Sequence, residues 1–275
     1  MTKYPLRVLS LGAGVQSTTI LLMMVHGEIP KAEHVIFADT GWEPQRVYEH
    51  LKWLSGIMKE NDIAFHVVSK GNLREDFLSD TKRYASMPLY LIGEQNKKGM
   101  IRRQCTSEYK LAPVVKKERE LAGLKPRQRC KEHRITNIIG ISYDESQRMR
   151  DPFFPWIQNE YPLIDRKLTR QDCINWCESH NYPKPPRSAC IGCPYRRQKE
   201  WFDIQQDPKE WQDAVDFDNA LRTLPHLIKR FRGTAFLHES RVPLSQADIR
   251  SDEQKGIVPL FDDAFEQECI GMCGN

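Results

Sequence analysis

LSLGAGVQSTTILLM, residues Leu9 to Met23, opens as a continuous apolar strand and closes as a helix, with the turn Gly12-Ala13-Gly14 between them. Hydroxyls follow at Ser17, Thr18 and Thr19. Free backbone N–H groups and the positive end of a helix at such a junction suit a phosphate or pyrophosphate. The spacing Gly12-x-Gly14-x-x-Ser17 lacks the third glycine of a dinucleotide fold, and no lysine stands between Lys3 and Lys31 to complete a P-loop. The same residues also read as a tight strand–helix turn capped by serines. This stretch alone leaves both readings open.

Outward from the turn, strands and helices alternate. Residues 7–11 form a first strand and 17–26 a helix that Gly27 can end. Residues 34–38 form a second strand, closed by Asp39-Thr40-Gly41. A helix over 44–61 carries Val47, Leu51, Leu54 and Met58 on one face, and 64–68 is a third strand. After a polar stretch over 79–103, read as a mobile loop, a helix over 108–121 and a strand over 134–142 resume the pattern. Thr169 and Asp172 make a capping box for a helix to His180. The pattern predicts an α/β fold: a doubly wound, mainly parallel sheet with ligands at the carboxyl ends of its strands, plus a C-terminal helical and irregular extension. We divide the chain into 1–200, the nucleotide-binding α/β domain, and 201–275, a helical segment with a cysteine-containing tail that folds back over the site.

Composition narrows the class. With 40% hydrophobic and 28% charged residues among 275, the chain reads as an ordinary globular protein. A formal charge of +4 is too mild to imply nucleic acid by itself. The N-terminal residues lack a long apolar leader core, and the run Ile20–Val25 is far short of the ~20 residues a bilayer span requires. The expectation is a cytoplasmic chain without a membrane partner, whose eight cysteines stay reduced. They then serve as core thiols, metal ligands or catalysts. Cys173 and Cys177 share a helix face and read as core thiols. Cys190-x-x-Cys193 is a two-thiol claw suited to redox, zinc or iron–sulfur chemistry, and it needs partners to choose. Arg102, Arg103, Lys110, Arg187, Arg196 and Arg197 cluster near the cysteines, which suits a small anion or a nucleic-acid backbone.

Five stretches, FADTGWE (37–43), RRQCTSEYKLAP (102–113), GISYDESQRMR (140–150), LIDRKLTRQDCINW (163–176) and CIGCPYR (190–196), follow one another in an order that resembles the phosphoadenosine phosphosulfate reductase family. That family lies within the PP-loop, or adenine nucleotide α-hydrolase-like, superfamily. The resemblance implies a bound adenine nucleotide, ATP or phosphoadenosine phosphosulfate. It places Ser10, Gly12, Ala13, Gly14, Gln16, Ser17 and Thr18 on the phosphate or sulfate oxygens, with Asp39, Thr40 and Gly41 beside the adenosine. Arg148 and Arg150, after the Gly140 turn, would pair with the anionic end. Two departures stand out. The superfamily turn reads Ser-Gly-Gly-x-Asp-Ser, and here Gln16 replaces the carboxylate, so nucleotide binding is better supported than ATP hydrolysis. The Cys-Cys motif of cluster-bearing members is Cys105-Thr106 here. The resemblance therefore implies three metal ligands, Cys105, Cys190 and Cys193, around a [4Fe–4S] cluster, with zinc as the alternative. Cys273 would complete four, leaving Cys269 in the tail as a nucleophilic thiol; the opposite assignment, and Cys130, remain open. The cationic surroundings are expected to lower the thiol pKa values. Three function classes follow: an enzyme of adenylated-sulfur chemistry, a PP-loop enzyme modifying nucleic acid, and a nucleotide-binding accessory protein without catalysis.

Overall fold

The computed structural model describes residues 5–82, 86–250 and 255–256. In chain order the first half contains β1 (Leu6–Leu11), α1 (Val15–Val25), β2 (His34–Asp39), α2 (Gln45–Glu60), β3 (Ala64–Ser69) and α3 (Leu73–Leu78). Next come two short strands, β4 (Tyr90–Ile92) and β5 (Lys98–Met100), then a widened π-type helical turn over Thr106–Leu111 that runs straight into α4 (Ala112–Leu121). The second half holds β6 (Ile135–Ile139), β7 (Ile157–Glu160), α5 (Pro162–Asp165), α6 (Arg170–Ser179), α7 (Gln198–Gln205), α8 (Pro208–Thr223), α9 (Pro225–Arg230) and β8 (Thr234–Phe236).

Five strands pair in the order β3-β2-β1-β6-β7, every pair parallel. This is the α/β, doubly wound parallel sheet expected from the alternation of apolar runs and amphipathic helices. Strands buried on both faces read as continuous apolar runs rather than as alternation, as VLSL and HVIFA do. On one face, Leu9, Leu11, Val35 and Phe37 pack with Ile20 and Leu21 of α1, Leu51 and Leu54 of α2, and Cys173 of α6. On the other, Val8, Ile36 and Ile135 pack with Val114 and Ala122 around α4, and with Trp156. Cys173 and Cys177 are core thiols, and the Thr169–Asp172 capping box forms.

The stretch expected to be a mobile loop over 79–103 is corrected by the structure. It holds β4 and β5, which with β8 make a second, antiparallel sheet in the order β5-β4-β8. Met87 and Leu89 beside it are buried. The helices after Trp201 are not closed on themselves: Trp201, Ile204, Phe217 and Leu221 share one core with Trp42, Leu73, Phe77, Met87, Tyr109 and Ile191. The chain beyond residue 201 thus packs over the carboxyl ends of β2 and β3. Among the described residues, no helix is long and apolar enough to cross a membrane.

Asp218 of α8 holds this second core together. Its side chain is fully buried and accepts from the backbone N–H of Leu237 and of Leu244, both at 2.8 Å, and from Arg222 at 2.6 Å. Asp218→Ala leaves two buried N–H groups and a guanidinium without their acceptor. The expected loss is about 3 kcal/mol or more in urea unfolding, against under about 0.5 kcal/mol for Asp216→Ala on the exposed side of the same helix.

Candidate functional site

In a doubly wound sheet the crossovers diverge where strand order reverses, leaving a crevice at the carboxyl ends of the two strands involved. Here those strands are β1 and β6. The turn Gly12-Ala13-Gly14 leaves β1 at this point, and Gly140 follows β6 directly against it. A Cβ on Gly140 would lie 2.8 Å from the Ser17 nitrogen, so only glycine permits this approach. Ala13 stands in the left-handed region, at φ 57°, a strained place for a residue with a side chain. Gly14 caps α1 without any side-chain bond. Above the turn, Ser188 Oγ would stand 3.2 Å from a Cβ on Gly12. Its hydroxyl is buried and has no hydrogen-bond partner among the described residues. A helix start without a side-chain cap, beneath an unpartnered hydroxyl, suits an anion.

The side chains expected on the nucleotide are arranged less uniformly. Ser10 Oγ donates to Asn137 Oδ1 at 2.9 Å, and Ser17 Oγ accepts from the Gly12 N–H at 3.1 Å. Thr18 turns inward: its buried hydroxyl pairs with His50 Nε2 at 3.0 Å, inside the core. Burial pushes His50 down to about 4, so this partner is neutral near pH 7. Gln16 is engaged as well, donating to Glu145 at 3.0 Å and accepting from Arg170 at 3.0 Å. Glu145 also pairs with Arg148 at 2.5 Å. Glu145 thus places a carboxylate beside the turn, where Arg148 pairs with it. Arg150 is exposed. Both arginines line a cleft beside the crevice rather than the crevice itself. Asp39 accepts from the Gly41 N–H at 2.7 Å and from Tyr48 Oη at 3.0 Å, so it shapes its own turn.

Thr40 turns the other way, to sulfur. Its Oγ1 lies 3.2 Å from Cys190 Sγ and donates to Glu43 Oε1 at 2.9 Å. Cys105, Cys190 and Cys193 line one cavity with Thr40, Thr106 and Lys110. Glu43, almost completely buried, accepts a 3.5 Å contact from Lys110 Nζ. Arg196, read from sequence as part of a basic rim, is buried and fixes the Cys-x-x-Cys loop. It donates to the carbonyls of Ala189 at 2.9 Å, Cys190 at 2.7 Å and Ile191 at 3.0 Å. The expected lowering of thiol pKa values fails at Cys190: burial pushes its thiol well up, Glu43 adds to the rise, and Lys110 only partly opposes it.

The donor chemistry of this cavity, three thiols with Lys110 and Arg103 in the wall, fits a thiolate-bound metal centre. Among the described residues, no three Cys, His, Asp or Glu side chains close around a single point as one ion requires. In a cubane each thiolate binds a different iron, so tight convergence is not required of it. The cavity measures about 20 Å³, room for a water, and has to widen for a cluster. Cys269 and Cys273 lie outside the described residues; Cys130 is a free thiol whose Sγ contacts the Glu132 carbonyl at 3.4 Å.

Three spaces meet at the start of α4. The crevice beside Gly12, also about 20 Å³, is walled by Lys110, Leu111 and Val114 and admits no nucleoside as it stands. Lys110 is shared with the cysteine cavity. Leu111 is shared with a cleft of about 630 Å³ running between α4, β6 and β7. The widened turn before α4 has a local cause: Pro113 cannot donate to the Tyr109 carbonyl and crowds it, so the helix loosens upstream.

No protein-family model matches the chain, and no curated protein matches it significantly. Among solved structures it is similar to the U34-tRNA thiolase NcsA from Methanococcus maripaludis, solved with its [4Fe-4S] cluster. The identity is 12%, over 81% of this chain and 74% of that one, with a TM-score of 0.36. Nothing about the chemistry of this chain follows from so distant a likeness.

Two expected outcomes test the geometry. A Cβ on Gly192 would stand 2.1 Å from the ring of Trp42, which is buried and held by a 2.5 Å bond to Asp213. Gly192→Ala should cost about 1–3 kcal/mol by thermal melting. Gly56→Ala, on the open face of α2, should gain about 0.5–1 kcal/mol. The second concerns Glu118, which burial pushes up from 4.5 to about 8. Between those values the native chain holds one proton more than the unfolded chain, so stability falls as pH rises from about 4.5 to about 8 and levels off above. Glu118→Gln removes this slope. Its advantage over the wild type, measured by urea unfolding, should grow by about 2–4 kcal/mol between about pH 5 and pH 8.

Proposed function

We propose that this chain is an adenine-nucleotide-dependent enzyme of sulfur chemistry, with its nucleotide phosphates over the Gly12–Ser17 turn and a metal centre held by Cys105, Cys190 and Cys193. The observation that carries the reading is Lys110, which walls both the crevice beside the turn and the three-cysteine cavity. A cation there faces the anionic ends of both: phosphate or sulfate on one side, thiolates on the other. Of the two enzymatic classes, reduction of a sulfated nucleotide needs only the crevice and a thiol. Modification of a nucleic-acid base needs a second, open site beside the nucleotide. The cleft next to the crevice supports the second class, because Arg148, Arg150 and Phe153, whose ring is 90% exposed, stand at its walls. A [4Fe–4S] cluster, when bound, would supply a redox or sulfur-binding centre. This chain's own residues hold the anion at the turn, keep Lys110 between the two sites and shield Cys190 from water.

Anaerobic purification should yield brown protein with iron and acid-labile sulfide. Cys105→Ser, Cys190→Ser and Cys193→Ser should each lower the iron content by at least half. Incubation with ATP should release pyrophosphate or AMP in the presence of an acceptor nucleic acid and a sulfide source. Sulfite from phosphoadenosine phosphosulfate would instead establish the reductase form. Colourless protein with stoichiometric zinc would keep the cysteine site and remove the cluster. Tight nucleotide binding without either product would make the chain a non-catalytic accessory.

A further inference from the structure

Glu118 occupies a position that the helix reserves for apolar side chains. Val114, Glu118 and Ala122 fall at i, i+4 and i+8 on the stripe of α4 that faces the sheet. Glu118 is 0% exposed, and both carboxylate oxygens lack a hydrogen-bond partner among the described residues. Burial also favours its protonated form. A buried carboxyl with no partner is costly, and nothing in the fold recovers that cost. It lines the 630 Å³ cleft, a size that accommodates a nucleotide. The other walls match one kind of molecule. Ile139 and Ile141, themselves buried, make its apolar floor, Phe153 offers an almost completely exposed ring, and Arg148 and Arg150 line it. A planar heteroaromatic group with polar edges and an anionic tail satisfies all four features.

We propose that this cleft is a nucleobase pocket for single-stranded nucleic acid, in which Glu118 pairs with the hydrogen-bonding edge of a base turned out of its stack, Phe153 stacks on it, and the arginines hold its phosphate. As a neutral carboxyl, Glu118 both donates and accepts, and so complements any base edge with a donor beside an acceptor. The inference deepens the nucleic-acid form of the proposed function, for it assigns the acceptor site. It requires neither the metal centre nor the nucleotide at the turn.

Binding to the full chain is measured by calorimetry at pH 7, with cytidine 5′-monophosphate as probe and ribose 5-phosphate as its base-free control. The pyrimidine keeps the readout apart from an adenine site. Cytidine monophosphate should bind at least tenfold more tightly than ribose 5-phosphate. Glu118→Leu should abolish that difference, and it removes an unpaired carboxyl, so the fold is retained. Glu118→Gln, whose amide also donates and accepts, should keep the difference. Phe153→Ala should weaken the nucleotide at least fivefold and ribose 5-phosphate little. Equal binding of the two probes to the wild type, or a preference unchanged in Glu118→Leu, overturns the pocket. ATP binding measured alongside separates the two readings. If ATP binds and the cytidine preference is absent, only the pocket falls. If the preference holds and ATP does not bind, only the nucleotide site falls.

Discussion

Every feature of the candidate site depends on one constraint of parallel sheets. Crossover connections are right-handed, so a chain that winds outward from β1 in both directions must place its helices on opposite faces. The connections from β1 to β3 use one face, and the crossover from β3 back to β6 uses the other, through α4. The two crossovers diverge at the carboxyl ends of β1 and β6, and this end is where Gly12–Ser17 and Gly140 meet. The absence of Cβ atoms at Gly140 and Gly12 lets β6 and the Ser188 loop close on the turn. The crevice follows from winding, and its tightness from glycine.

The same crossover explains why the cysteines gather where they do. The chain between β3 and β6 has to pass over β2 and β1, and it carries Cys105 to the head of α4. The Cys190–Cys193 loop arrives from beyond α6 and is held down from two sides. Ile191 N–H donates to the Trp42 carbonyl at 2.9 Å, and Arg196 gathers three carbonyls of the loop. Trp42 in turn belongs to the core built by the helices after residue 201. The cysteine cavity is therefore a seam between the parallel sheet and the second core, and packing on either side fixes its width.

Much of this was legible in the sequence, and the rest was hidden for identifiable reasons. Strands buried on both faces announce themselves as apolar runs, and the capping box at Thr169 is a local pattern, so four of the five parallel strands and α6 could be read directly, while β7, with the sequence IQNE, could not. The second sheet could not. β4 and β5 are three residues long, KGM has no apolar alternation, and the pairing partner Thr234–Phe236 lies more than a hundred residues away. Site residues followed the same division. Backbone features of the turn came from its glycines, whereas Thr18 depended on His50 and Gln16 on Glu145 and Arg170, contacts that only the fold creates. Ser188 carried a weak signal, a small polar residue just before Cys190. Glu118 carried a clearer one, a carboxylate four residues from Val114 and from Ala122 in a stretch read as a helix.

The three spaces around α4 are mechanically linked by what separates them. Leu111 is at once a wall of the closed crevice and of the open cleft, and Lys110 a wall of the crevice and of the cysteine cavity. Both sit in the widened turn before Pro113, where the backbone is least constrained by i→i−4 bonds. α4 itself is anchored further along by Val114 and Ala122 against the sheet. A displacement that widened the crevice would thus fall on residues 106–111 and not on the body of the helix. Moving Leu111 would change the cleft at the same moment, and moving Lys110 would change its 3.5 Å contact with Glu43 and the field at Cys190. Whatever occupies one space is felt in the other two through two neighbouring side chains on a single turn.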